Sequence, residues 1–151
     1  MILAIGSDHR GFDLKTHLIQ VFHEHQWLDV GAFDAQRTDF PKFAFGVCQE
    51  LMGGSAERGI LICGSGVGMS IAANRVRGIY AALCWNVDVA RLACAHDGAN
   101  VLVLPSDFVS PEQAVEMIKA WLGATFLGGR YQDRLESIDQ ACEGICEGKK
   151  G

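Results

Sequence analysis

The sequence predicts an α/β protein: a single-domain, doubly wound (Rossmann-like) five-stranded parallel sheet with helices on both faces. Three observations predict it. Strand-like and helix-like stretches alternate five times along the 151 residues. The strand-like stretches are apolar at successive positions rather than at every second one, as expected of strands covered on both sides. No linker or internal repeat divides the chain. Right-handed crossovers between parallel strands then place helices on both faces.

Each element follows from its local pattern. Ile2–Gly6, "ILAIG", is a short apolar run ending in a turn. From Gly11 to His25 the residues Leu14, Leu18, Val21 and Phe22 recur at helical spacing. Leu28–Gly31 is the second strand, followed by a loop, "AFDAQRTDFP". A helix from Phe43 to Met52 stops at the Gly53–Gly54 pair. "RGILIC" is the third strand, and "GMSIAANR" begins the next helix. Gly78–Cys84 is the fourth strand, leading to a helix through "DVARLACAH", and Asn100–Pro105 is the fifth. Two helices close the chain, "SPEQAVEMIKAWLGATF", with Pro111 just inside a Ser110 cap, and "RYQDRLESIDQACEGICE". The final "EGKKG" is expected to fray.

Composition narrows the function. Nearly half the residues are apolar and the net charge is −5, which argues against the basic face a nucleic-acid binder needs. No apolar run approaches the roughly 20 residues of a membrane span, and the first residues lack the pattern of a signal peptide. Cytoplasm is the expected location. None of the six cysteines forms a C-x-x-C pair or lies at zinc-site spacing from a histidine. Cys48, Cys84 and Cys94 sit among apolar neighbours as small hydrophobes, and Cys142 and Cys146 share a helix face without a histidine to complete a metal site.

Ligands of doubly wound sheets bind outside the carboxyl ends of the strands. The residues there are Ser7 to Arg10 after the first strand, Cys63 to Gly68 after the third, and Pro105 to Asp107 after the fifth. His96 and Asp97, at the end of the helix after strand four, are expected on the same rim. The turn "CGSGVG" leads into a helix N-terminus, where bare backbone can approach an anion. It is not a dinucleotide fingerprint, because Met69 stands where the third glycine would be, and no Gly-Lys-Ser/Thr phosphate loop is present. The turn suits a smaller anion, or it is a tight strand-to-helix connection without a ligand. Cys63, at its lip, is a nucleophile or base facing the helix dipole, or a buried thiol. Arg130 and Arg134, four apart, can clamp a phosphate or line a solvated helix face with Asp133 and Glu136. His17, His23 and His25 belong to the surface of the first helix, away from the rim.

In order, "GSDHRGFDLK", "RTDFP", "GILICGSGVGMSIAANR", "AHDGANVL" and "GGRYQDR" resemble the type B ribose-5-phosphate isomerases, a family that includes galactose-6-phosphate and allose-6-phosphate isomerases. The resemblance covers roughly residues 2 to 140. It implies a cofactor-free and metal-free interconversion of an aldose phosphate and a ketose phosphate through an enediolate, with ribose 5-phosphate the first choice of substrate. A hexose 6-phosphate, or a non-catalytic sugar-phosphate-binding module, is the alternative. By resemblance Cys63 is the base that moves a proton between C1 and C2. The backbone of Gly64, Gly66, Val67 and Gly68 faces the developing oxyanion. His96, with Asp8 near it, opens the furanose ring, and Ser65 assists. His9, Arg130 and Arg134 hold phosphate. The resemblance also implies a homodimer or homotetramer with the site where subunits meet, and the stripe Val115, Ile118 and Leu122 is the expected packing surface.

Three positions depart from the family pattern. Asp97 replaces an asparagine, Asp107 replaces an arginine that reaches phosphate, and Tyr131 replaces a histidine. Where some relatives carry a glutamate base, this chain has Met69, so Cys63 is the base of choice. The two acidic changes make the site more negative, which opposes a dianion. Arg10, where relatives carry a small residue, is expected to restore the charge by binding substrate.

Overall fold

The computed structural model describes residues 1–148; the last part of the expected frayed tail, 149–151, lies outside the described residues. The elements run β1 (Ile2–Ser7), a 3-10 turn (His9–Gly11), α1 (Phe12–Val21), β2 (Gln26–Asp29), α2 (Pro41–Met52) and β3 (Arg58–Cys63). They continue with α3 (Val67–Ala73), β4 (Ala81–Leu83), α4 (Val87–Asp97), β5 (Val101–Pro105), α5 (Pro111–Gly123) and α6 (Arg130–Glu147). All strands are parallel, in the order β2-β1-β3-β5-β4. The direction of winding reverses between β1 and β3, and this opens the crevice in which sheets of this kind take ligands.

Alternation along each strand divides the core. Ile5, Ile60, Ile62, Leu102 and Leu104 face α1, α4 and α5, where they meet Leu18, Cys94, Met117, Ile118 and Trp121. Ala4, Leu61, Cys63, Val101 and Val103 face α2 and α3, against Val47, Cys48, Met69 and Ala73. Most of these side chains are wholly buried, and each large one contributes roughly 1.5–3 kcal/mol relative to exposure. Two-sided burial is the reason the strands read as unbroken apolar runs. Trp121 keeps its polar end satisfied by donating from Nε1 to the Ala99 carbonyl at 3.0 Å. Ser110 caps α5 with a reciprocal capping box to Gln113, which offsets two of the orphan donors of a helix start.

Several boundaries differ from the sequence expectation. The first helix begins after a separate 3-10 turn and ends at Val21 rather than His25, because Phe22 leaves helical geometry with its side chain in the core. β2 starts at Gln26, its register set by pairing with Ile2–Ile5 rather than by its own pattern. β4 is only three residues long. The expected docking stripe on α5 points inward: Ile118 is fully buried, and Val115 and Leu122 pack against the same core cluster. Exposed apolar residues lie elsewhere, among them Ile138 and Ile145 on α6, Phe45 and Met52 on α2, and Val67, Ile71, Trp85 and Phe108 around the carboxyl ends of the strands. No helix among the described residues is long and apolar enough to cross a membrane.

Candidate active site

The carboxyl ends of β1, β3 and β5 are stitched together by backbone. The Asp8 amide donates to the Ile62 carbonyl at 3.3 Å, Ser106 N–H to the Cys63 carbonyl at 2.9 Å, and Asp107 N–H to the Gly64 carbonyl at 3.0 Å. This brings Asp8, His9, Arg10, Cys63, Ser65 and the glycine turn into one neighbourhood. Gly66 caps α3 with φ +76°, a left-handed conformation in which a Cβ would also run into Leu83. Glycine is therefore required there by backbone and by space. The Gly66 N–H donates to Cys63 Sγ at 3.2 Å, which folds the turn back onto the sulfur. Cys63 itself is 5% exposed, while Ser65, one residue beyond Gly64, is open to solvent and accepts from Val67 N–H at 3.3 Å. Met69 is completely buried, in the core of the α2–α3 face.

Burial distinguishes the remaining thiols. It pushes Cys48 up to about 11 and Cys84 up to about 12, and both lie in the core as the sequence pattern anticipated. Cys142 and Cys146 are exposed on α6. Among the described residues no three His, Cys, Asp or Glu side chains are grouped to hold a metal ion.

Asp8 is nearly buried, and Oδ1 accepts from Arg10 N–H at 3.0 Å and Gly11 N–H at 3.2 Å, capping the 3-10 turn. His9 is held by Thr38 of the "RTDFP" loop. Its amide donates to Thr38 Oγ1 at 3.2 Å, and ring Nδ1 lies 3.3 Å from both the Thr38 amide and the Thr38 carbonyl. That leaves the Nε2 edge outside the loop contacts. Arg10 extends across the mouth of the turn and forms an ion pair with Asp107. Arg10 therefore does not stand there as an isolated cation.

His96 and Asp97 lie at the other edge of the sheet, which corrects the expectation that they share the carboxyl rim, and Arg130 and Arg134 stand there with them. α4 leaves the carboxyl end of β4 and must return to the start of β5, so its last turn lies beside the amino ends of the strands. There Gly98 ends the helix in a left-handed conformation and Ala99 N–H donates to the Ala93 carbonyl. Leu127 N–H donates to the Ala95 carbonyl, and this ties the start of α6 to the end of α4. Within one chain Asp8 is consequently not near His96. The His96 ring stacks on Tyr131 with centroids 4.5 Å apart and planes 7° from parallel. The guanidinium carbons of Arg130 and Arg134 lie 5.0 and 5.4 Å from the same tyrosine ring. Arg130 Nη2 also donates to the Tyr131 hydroxyl at 3.1 Å. Tyr131 is thus the plate on which an imidazole and two arginines are arranged, with Asp97 exposed beside it.

Sequence reasoning did not foresee the contacts of Thr38, which holds His9, or of Ser106, a rim residue whose contact ties β5 to β3. Thr38 lies in a motif that was visible, but only the folded loop shows what it touches. Tyr131 was visible as a departure from a pattern and not as an organising contact.

The chain matches a family model described as Ribose/Galactose Isomerase over residues 3–138. It is 43% identical to ribose-5-phosphate isomerase B of Escherichia coli (strain K12) over 138 residues, 90% of this chain and 93% of that protein. Its structure is similar to that of Clostridium thermocellum ribose-5-phosphate isomerase B, with a TM-score of 0.93, 37% identity, and coverage of 96% of this chain and 99% of the other. It is also similar to ribose-5-phosphate isomerase B from Mycoplasma genitalium with bound ribulose-5-phosphate: TM-score 0.88, 38% identity, 94% of this chain and 96% of that one.

Proposed function

The chain belongs to the ribose/galactose isomerase family, and from that premise we propose that it interconverts ribose 5-phosphate and ribulose 5-phosphate at a site completed by a second copy of itself. The observation that carries the reading is the Cys63 turn: a thiol at the switch point of the sheet that accepts from the Gly66 N–H of the glycine turn. Aldose–ketose isomerisation needs a base at C1 and C2, a stabiliser for the enediolate oxygen, a group that opens the sugar ring, and a grip on phosphate.

Each requirement has a candidate. Cys63 Sγ takes the proton from C2 of the open aldose and returns it to C1. Of the glycine turn, the Gly64 and Gly68 N–H groups are the candidates to face the oxygen on which charge develops, because the Gly66 N–H is directed at Cys63 Sγ and the Val67 N–H at Ser65 Oγ. His96 moves the ring proton, with Asp8 and Ser65 across from it when a second copy closes the site. His9 Nε2, Arg130 and Arg134 bind phosphate, and Asp97 contacts sugar hydroxyls.

Geometry supports the second copy. One chain carries the Cys63 half at one edge of its sheet and the His96 half at the other. Exposed apolar residues are available beside both halves, among them Val67, Ile71, Trp85 and Phe108 near the first and Ile138 and Ile145 on α6. A twofold dimer that covers both makes two identical composite sites. Residues 1–151 act as one sugar-phosphate isomerase domain, without cofactor or metal, as a homodimer or a homotetramer built from it. Six free cysteines suit a reducing compartment, so the cytoplasm.

A coupled assay across ribose 5-phosphate, allose 6-phosphate and galactose 6-phosphate tests the reading. Fastest turnover on the pentose supports it. Preference for a hexose moves the substrate within the family, and binding without turnover on all three removes the enzymatic reading.

A further inference from the structure

The mouth of the Cys63 turn carries one charged pair that none of the catalytic steps above uses. Arg10 is fixed at its backbone: its amide donates to Asp8 Oδ1 at 3.0 Å and its carbonyl accepts from Ser106 Oγ at 3.2 Å. Its guanidinium is ion-paired with Asp107, the residue after Ser106, whose own N–H is bonded to the Gly64 carbonyl. The pair lies directly on the glycine next to the thiol. A Cβ at Gly64 would stand 2.8 Å from Asp107 Oδ2 and 2.9 Å from both Cζ and Nε of Arg10. Arg10 and Asp107 are 97 positions apart in sequence and meet only there.

A guanidinium offers five N–H donors in a rigid fork. The contact with Asp107 uses one of its terminal nitrogens, and the side chain is 57% exposed, so the other donors remain open at the mouth of the turn. A free arginine at such a position would sample many rotamers and lose that freedom on binding. Asp107 removes most of that cost in advance, and Arg10 in turn neutralises a carboxylate that would otherwise repel an anion.

We propose that Asp107 is a positioning residue that holds Arg10 over the glycine turn, and that Arg10 uses its open donors to bind an anionic group of the substrate. The pair acts as a unit: it sets affinity for the anionic substrate and with it selection among sugar phosphates. This inference rests on the sugar-phosphate reading of the same site. It departs from the simple expectation that Asp107 only weakens phosphate binding, and the two ideas predict opposite signs.

The test is a double-mutant cycle of Arg10→Ala, Asp107→Asn and the combination, read as KM and kcat with ribose 5-phosphate and as Kd for inorganic phosphate by calorimetry. Thermal melts confirm that each variant folds. Arg10→Ala is expected to raise KM about tenfold, the loss of one charge-assisted contact. Asp107→Asn alone is expected to raise KM about threefold, by releasing Arg10. In the Arg10→Ala background the same Asp107→Asn change is expected to leave KM unchanged or lower it, because there is no arginine left to hold and an uncovered carboxylate is removed. The phosphate Kd should follow the same order while kcat changes less than KM. A fall or no change in KM for Asp107→Asn in the wild-type background would overturn the positioning role. Additive rises in the double variant, or losses confined to kcat, would overturn it equally. Should the wild-type chain turn over none of the sugar phosphates, the isomerase reading fails and the phosphate titration alone decides the pair: the same order of Kd sustains it, and identical Kd values end it.

Discussion

Mixing two inactive variants tests the arrangement of half-sites directly. In the sheet, Gly59 is level with Val101 and Cys63 with Pro105. His96 lies before Val101, at the end of the helix that precedes β5. Four residue steps at about 3.3 Å separate the two edges by about 13 Å, whereas proton transfer requires heavy atoms roughly 2.6–3.2 Å apart. Cys63 and His96 of one chain therefore cannot act on one sugar. Cys63→Ala and His96→Asn should each lose about 100-fold or more in kcat, the usual contribution of an acid or base. In a twofold dimer, a mixed particle of the two variants has one site with both substitutions and one site with neither. Random exchange at equal amounts makes about half the dimers mixed, so about a quarter of wild-type activity should return. The assay is coupled turnover of ribose 5-phosphate after co-refolding, with native mass spectrometry to count mixed particles. If mixed particles form and activity stays at the average of the two parents, each chain holds a complete site and the two-edge argument is refuted.

Two further outcomes follow from individual contacts. If His96 serves ring opening as proposed, His96→Asn is expected to lose most activity on the closed furanose and much less on an open-chain analogue; equal losses on both would remove that role. Tyr80 donates its hydroxyl to Asp139 of α6 at 2.7 Å, and this bond, aided by burial and by the charge of Asp139, pushes the phenol up to about 12. A phenol held protonated in the folded state stabilises below its unfolded pKa near 10, and that stability is lost as pH rises through about 12. Tyr80→Phe should cost about 1 kcal/mol at neutral pH, and denaturant midpoints of variant and wild type should converge between pH 10 and 12; a constant gap across that range would show the bond is not what anchors α6.

The alternation of strand and helix, the two-sided burial of the strands and the Cys63 turn were all legible in the chain. Each is local: an apolar run that has no wet face, or a thiol followed by glycines at 64, 66 and 68, carries its meaning within a few residues. The departures at Asp97, Asp107 and Tyr131 were also visible as letters. What they do was not. Asp107 finds Arg10 because β1 and β5 flank β3, and strand order is set by how whole layers pack. Tyr131 meets His96 because α6 starts where α4 stops, a placement made by the segment that joins α5 to α6. The α5 stripe turned inward for a related reason: helical periodicity reveals that a face is apolar but not which apolar surface it will meet. One error was avoidable from the alternation itself, since a helix between parallel strands has to return to the edge where the next strand begins, carrying its last turn away from the carboxyl rim. The sequence determined by itself which chemical groups this protein has and which local turns hold them, because those depend on neighbours along the chain. Only the tertiary structure decided that those groups stand in two halves at opposite edges of one sheet, because that depends on the order and direction of layers that contact each other across long separations.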